Sequence, residues 1–170
     1  MSYSAREADM GRLGGAIDGA QLRGIVQKLP DGLQTALGEG GCLLSGGEGQ
    51  RVRLGRALMQ GDVRLALLDE PFRGMDRGQR IRLMEEARKR WSKATMLCVT
   101  HDVGETLSFD RVLVVEDGMI VEDGPPAALK SRESRYRALL DAETVARSQL
   151  WQGAQWRRLV VEDGQVAGVH

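Results

Sequence analysis

Leu65-Ala66-Leu67-Leu68-Asp69-Glu70-Pro71 is four apolar residues in a row, two adjacent carboxylates and a proline. A strand built from the apolar run has no polar face, which marks a buried parallel strand rather than a half-exposed antiparallel one. In open α/β sheets ligands bind just outside the carboxyl ends of the strands, and there the chain delivers Asp69 and Glu70. One carboxylate can hold a magnesium ion, directly or through water, while its neighbour polarises an attacking water. The plainer alternative is that the two acids only mark where the strand leaves the core.

On the carboxyl side, Asp76-x-x-Gln79 reads as a capping box opening a helix. Ile81, Met84 and Trp91 are expected on its buried face, with Glu85–Lys89 and Glu86–Arg90 pairing at i,i+4. Met96-Leu97-Cys98-Val99 is a second doubly apolar strand, so strand, helix and strand predict a parallel crossover. Asp102-x-x-Glu105 predicts a capped short helix. Val112 to Val115 and Met119 to Val121 flank Glu116-Asp117-Gly118, a hairpin signal. Pro125-Pro126 opens a helical stretch expected to run through Leu139 and Leu140, and residues 159–166 echo the hairpin. On the amino side, Ser45-x-x-Glu48 is another capping box, ahead of Leu54, Ala57 and Leu58 at helical spacing. That helix is expected to end near Gln60. Further upstream, Ile17, Leu22, Ile25, Val26 and Leu29 predict one helix over 14–29, closed by Pro30-Asp31-Gly32.

The 170 residues suit one domain, with or without a subdomain. Twenty-four basic and 24 acidic residues cancel, so the electrostatic footprint of a nucleic-acid binder is missing. The longest stretch without Asp, Glu, Lys or Arg, Ser148 to Trp156, is nine residues, against the ~20 of a membrane-spanning helix. Cys42 and Cys98 form no C-x-x-C pair and have no neighbouring histidines, which signals neither zinc nor a disulfide framework; a reducing, cytoplasmic setting is expected. Glycine, at 22 residues, is well above the ~7% average. It crowds into Gly38-Glu39-Gly40-Gly41 and Ser45-Gly46-Gly47-Glu48-Gly49, either as turns or as backbone that must approach a ligand closely. Arg51, Arg53, Arg56 and Arg88-Lys89-Arg90 read as solvated faces. Trp151 and Trp156 are expected to dock the tail.

Taken together, Leu44-Ser45-Gly46-Gly47-Glu48-Gly49-Gln50-Arg51, Asp69-Glu70-Pro71, Gly74-Met75-Asp76 and Thr100-His101-Asp102 resemble, in order and spacing, the nucleotide-binding domain of ABC transporter ATPases. The similarity runs from about Pro30 to Gly124. It implies that Ser45, Gly46, Gly47 and Glu48 belong to the signature that meets a nucleotide held by an opposing subunit. It likewise implies Asp69 in the Mg²⁺ shell, through water, and Glu70 as general base. Asp76 would lie in a D-loop at the dimer interface and His101 would be the switch histidine. Ser45 as phosphate ligand and Ser45 as helix cap stand side by side, as do Asp76 at an interface and Asp76 as cap.

The family's phosphate loop, Gly-x-x-x-x-Gly-Lys-Ser/Thr, has no counterpart. Lys28, Lys89, Lys93 and Lys130 follow Gln, Arg, Ser and Leu, so no Gly-Lys pair exists. The adenine-stacking aromatic and the glutamine loop are likewise absent before Pro30. Gly49 stands where a better helix former is usual, and Arg73-Gly74-Met75 replaces a Ser-Ala-Leu-like D-loop. Gly38-Glu39-Gly40-Gly41 resembles the loop with which exporters touch their transmembrane partner. The resemblance implies an α/β chain: a partial P-loop NTPase-like parallel-sheet core, an α-helical subdomain and a C-terminal hairpin and helical extension. Residues 1–61 are expected as the helical subdomain, 62–124 as the Walker B part of the core and 125–170 as the extension. The implied function is the C-terminal part of an ATP-binding subunit using ATP and Mg²⁺. Its implied partners are a second ATP-binding subunit carrying Walker A and a transmembrane domain at the inner face of the membrane. The alternatives are a non-catalytic module completing a partner's nucleotide site, and a truncated product inactive alone.

Overall fold

A computed structural model describes the backbone of residues 3–37, 43–153, 159–162 and 165–168, and side chains at 10–37 and 43–149. Two compact units divide the chain, Met1–Thr100 and His101–His170. The first runs α1 (Tyr3–Gly19), α2 (Arg23–Lys28), α3 (Gly46–Leu58), β1 (Leu65–Asp69), α4 (Arg77–Arg90) and β2 (Thr95–Val99). The second runs β3 (Val112–Glu116), β4 (Met119–Gly124), α5 (Pro126–Lys130), α6 (Arg135–Gly153), β5 (Leu159–Glu162) and β6 (Gln165–Gly168).

The single helix expected over 14–29 is two. Gln21 takes a left-handed φ of 54°, Leu22 N–H reaches back to the Ile17 carbonyl at 2.8 Å and Gln21 N–H to that of Asp18 at 3.0 Å. These two bonds make a Schellman stop. Its usual glycine is a glutamine here, so the composition gave no warning. Arg51 Nη1 donates to the Gln21 carbonyl at 3.1 Å, which stabilises the bend. Arg51 is thus half-buried and structural rather than part of a solvated face.

β1 and β2 pair in parallel, from Leu65 opposite Thr95 to Asp69 opposite Val99. Ala66 and Leu68 are buried, but Leu65 is 55% exposed, Leu67 67%, Leu97 47% and Val99 56%. The expectation that both faces are buried therefore fails on one side. In register these four residues share a face that no described element of the first unit covers.

α4 buries Leu83, Met84 and Ala87, and Trp91 follows buried at its end, while Ile81 is 48% exposed. The apolar stripe is thus centred on Leu83 rather than Ile81. Neither expected i,i+4 pair is the one formed: Lys89 bonds Glu86 at 2.7 Å, and Arg90 Nε donates to the Leu58 carbonyl at 2.8 Å, tying α4 to the end of α3.

In the second unit β3 and β4 form the expected antiparallel hairpin, with a register shift between Val114 and Val115. Asp117 and Gly118 both have positive φ, 51° and 76°, as a tight I′ hairpin turn requires. Val112, Val114, Leu129, Tyr136 and Leu140 make the core, with Val103 packed against it. The helical stretch expected from Pro125 through Leu140 is interrupted after Lys130. Ser134 Oγ accepts from Arg137 N–H at 3.0 Å and starts α6 afresh. β5 and β6 pair antiparallel, as the echoed motif predicts.

Candidate functional site

Ser45 caps α3 with φ −63° and ψ 161°. Its Oγ accepts from Glu48 N–H at 3.3 Å, and its own N–H donates to Glu48 Oε2 at 2.9 Å. This is the reciprocal capping box that Ser45-x-x-Glu48 predicts. The bond from the Ser45 N–H, then that from its side chain, hold the Glu48 carboxyl below the usual glutamate range. While the cap is closed the Ser45 hydroxyl is engaged with Glu48, as acceptor from its N–H and as partner of its carboxylate. The first intrahelical bond is Gly49 N–H to the Ser45 carbonyl at 2.9 Å. Gly46 and Gly47 therefore keep N–H groups that the helix itself does not use, at its positive end.

The loop after β1 packs against this helix start. A Cβ on Gly47 would stand 3.1 Å from the Gly74 carbonyl oxygen, and Gly74 itself has φ +78°. A side chain on Gly47 would push the loop away, and one on Gly74 would strain it. Buried Phe72 and Met75 anchor the loop. Gln50 Nε2 donates to the Glu70 carbonyl at 3.0 Å, while Arg53 Nη1 donates to Gln50 Oε1 at 2.8 Å and sets the amide. Glu70, with φ 43°, turns the chain out of the sheet, its N–H held by the Val99 carbonyl at 2.9 Å. Asp69 is exposed on the same sheet face as Leu65 and Leu67. Asp76 Oδ1 accepts from Gln79 N–H at 2.9 Å, capping α4.

Seven of the eight residues singled out above, Ser45, Gly46, Gly47, Glu48, Asp69, Glu70 and Asp76, thus lie in the first unit. His101, exposed, opens the second. Asp102 does not cap the 3-10 helix Val103–Ser108 as expected; its carboxylate lies 3.7 Å from Arg147 Nη2. Gln50 is the link that the spacing did not expose, because its partner is a backbone carbonyl 20 positions away. Gly38 to Gly41, Trp156 and the Trp151 side chain lie outside the described residues. Among the described residues no group of three His, Cys, Asp or Glu side chains could hold a metal, and no helix is long and apolar enough to cross a membrane.

No family model matches the chain. It is 33% identical over 142 residues to the ATP-dependent lipid A-core flippase of Ralstonia nicotianae, a match taking in 82% of this chain and 24% of that protein. To the glutathione/L-cysteine transport system ATP-binding/permease protein CydC of Escherichia coli it is 40% identical over 114 residues, 66% of this chain and 20% of that protein. Among solved structures it matches a bacterial Atm1-family ABC exporter with ATP bound, at TM-score 0.72 and 28% identity, over 78% of this chain and 23% of the exporter. The chain therefore spans between 20% and 24% of the length of these two relatives. It belongs to the ABC transporter ATP-binding family, as a region of the nucleotide-binding domain.

Proposed function

We propose that the chain is the C-terminal part of an ABC transporter ATP-binding subunit, acting in ATP binding and hydrolysis at a dimer interface that drives transport. The observation that carries this is the packing of two motifs into one unit. The helix start at Ser45, Gly46 and Gly47 backs onto Gly74, and Gln50 grips the Glu70 carbonyl, so an anion-binding terminus and the strand-end acids are mutually fixed. The named flippase and exporter favour export as the direction.

In this reading Ser45 turns its hydroxyl from Glu48, and Gly46 and Gly47 give their N–H groups, to the γ-phosphate of a nucleotide held by the opposing subunit; Glu48 serves by holding the cap. Asp69 is an exposed single carboxylate, which suits a Mg²⁺ that keeps several waters and is otherwise bound by phosphate oxygens. When bound, that ion neutralises charge on the β- and γ-phosphates. Glu70 takes the proton of the attacking water, and His101 reads the γ-phosphate. Asp76 contacts the opposing subunit beyond its cap. The sheet is one part of a P-loop NTPase-like core, with residues 1–61 as helical subdomain, 62–124 as core and 125–170 as extension. Parallel sheets are covered on both faces. The uncovered face of Leu65, Leu67, Leu97 and Val99 therefore favours completion by a piece carrying the Walker A loop. A transmembrane partner holds the assembly at the inner face of the membrane.

Gly46→Asp separates this from a plain helix cap. A side chain at Gly46 meets nothing within 4 Å, so the fold should persist while a negative charge occupies the phosphate position. ATP-dependent association with a Walker A-bearing partner is expected to be lost in a pull-down. Ser45→Ala should lose it too, and lower calorimetric stability by about 1 kcal/mol as well. Undiminished association by Gly46→Asp would leave the cap as the whole role of this helix start.

A further inference from the structure

His101 is the first residue of the second unit, and the segment following it is gripped by one face of α6. Gly104 N–H donates to Glu143 Oε2 at 2.7 Å. Thr106 Oγ1 and the Tyr136 hydroxyl are 2.8 Å apart, with the Tyr136 side chain buried. Arg147 pairs with Glu143 and reaches to 3.7 Å from Asp102. Positions 136, 143 and 147 are seven and four apart, so they lie on one face of the helix. They take up residues 106, 104 and 102 in reverse order. Glu143 is only 18% exposed, an unusual degree of cover for a carboxylate, which is rarely buried unless paired. An ionised oxygen bonded to an amide is also a stronger tether than a neutral pair. This cluster has no part in the site described above.

We propose that Glu143 and Arg147 are positioning residues for His101, so that the C-terminal helix sets where the imidazole can reach. The proposal rests on the reading of His101 as the residue that senses the γ-phosphate. A group that must meet a phosphate oxygen tolerates little displacement, since misplacement by about 1 Å costs on the order of 10²-fold in rate. Fixing Asp102 and Gly104 against a packed helix restrains the backbone one and three residues beyond His101.

The test is NMR of the isotope-labelled full chain, in which His101 and His170 are the only histidines and a His170→Gln variant tells their ring signals apart. Glu143→Ala removes the acceptor; the Gly104 amide is expected to exchange at least tenfold faster and the His101 ring signals to shift. Glu143→Gln keeps an acceptor oxygen at the same place and should restore both. Unmoved His101 signals in Glu143→Ala, or an unchanged Gly104 amide, would overturn the proposal. Should Glu143→Ala not fold, Arg147→Met decides in its place: shifted His101 signals support the tether and unshifted ones overturn it. The role of His101 itself is judged apart, by ATP turnover of His101→Ala in a completed site. Full turnover there would remove the sensor while leaving the tether as measured.

Discussion

Gly49 and Gly55 stand six positions apart on α3 and are opposite cases. A Cβ on Gly49 would meet nothing within 4 Å, whereas one on Gly55 would lie 2.7 Å from Leu22 Cδ1 and 3.3 Å from the Ala20 Cβ. Gly55 is what lets α3 approach the α1–α2 bend. Gly49→Ala should accordingly stabilise the chain by up to ~1 kcal/mol through helix propensity. Gly55→Ala should destabilise it by about 1–2 kcal/mol, because overpacking outweighs that gain. Thermal unfolding of the two variants checks the pair, and a stabilising Gly55→Ala would show that Leu22 can yield. In the sequence the two glycines look alike, since close approach depends on a residue more than 30 positions away. Gln21 is hidden for a related reason: its left-handed backbone is imposed by the Schellman bonds and by Arg51, not by its own type.

Helix starts were the most legible elements. Ser45-x-x-Glu48 forms both bonds of its box, and Asp76 makes the cap bond to Gln79, because such bonds close within one turn. Where a distant partner competes, local spacing misleads, as at Asp102 beside Arg147. The converse is Glu122 of β4, which no local pattern marks as a cap. It accepts from Arg135 N–H at 2.8 Å and Tyr136 N–H at 2.9 Å, so a hairpin carboxylate satisfies the first turn of α6. Those bonds, from Tyr136 and then Arg135, hold the Glu122 carboxyl below its ordinary value of 4.5. A lowered folded value means that the stabilisation is complete above about pH 4.5 and fades as pH falls through that lower value. Urea unfolding across this acid range should lose stability faster in the parent chain than in Glu122→Gln, which stays neutral throughout. Identical pH slopes would show that this carboxylate is not linked to folding.

For the molecule as a whole, the α/β pattern was legible in its doubly apolar strands, and the parallel pairing of β1 with β2 follows from the helix between them. The uncovered face was not, because four apolar residues record that a strand should be buried without recording what buries it. The same gap runs through the site. The chain supplies the capped helix start proposed to meet phosphate and two strand-end acids, and its sequence contains no lysine-bearing phosphate loop. The most direct test is ATP turnover after the chain is joined, as a fusion or as a second chain, to a piece carrying that loop. With Glu70→Gln in place of the parent residue, turnover is expected to fall by about 10²- to 10⁴-fold. Nucleotide binding should be kept or tightened, since the amide cannot take the proton of the attacking water but fills the same space. Full turnover by Glu70→Gln in the joined site would contradict the assignment of the chemistry to this strand end.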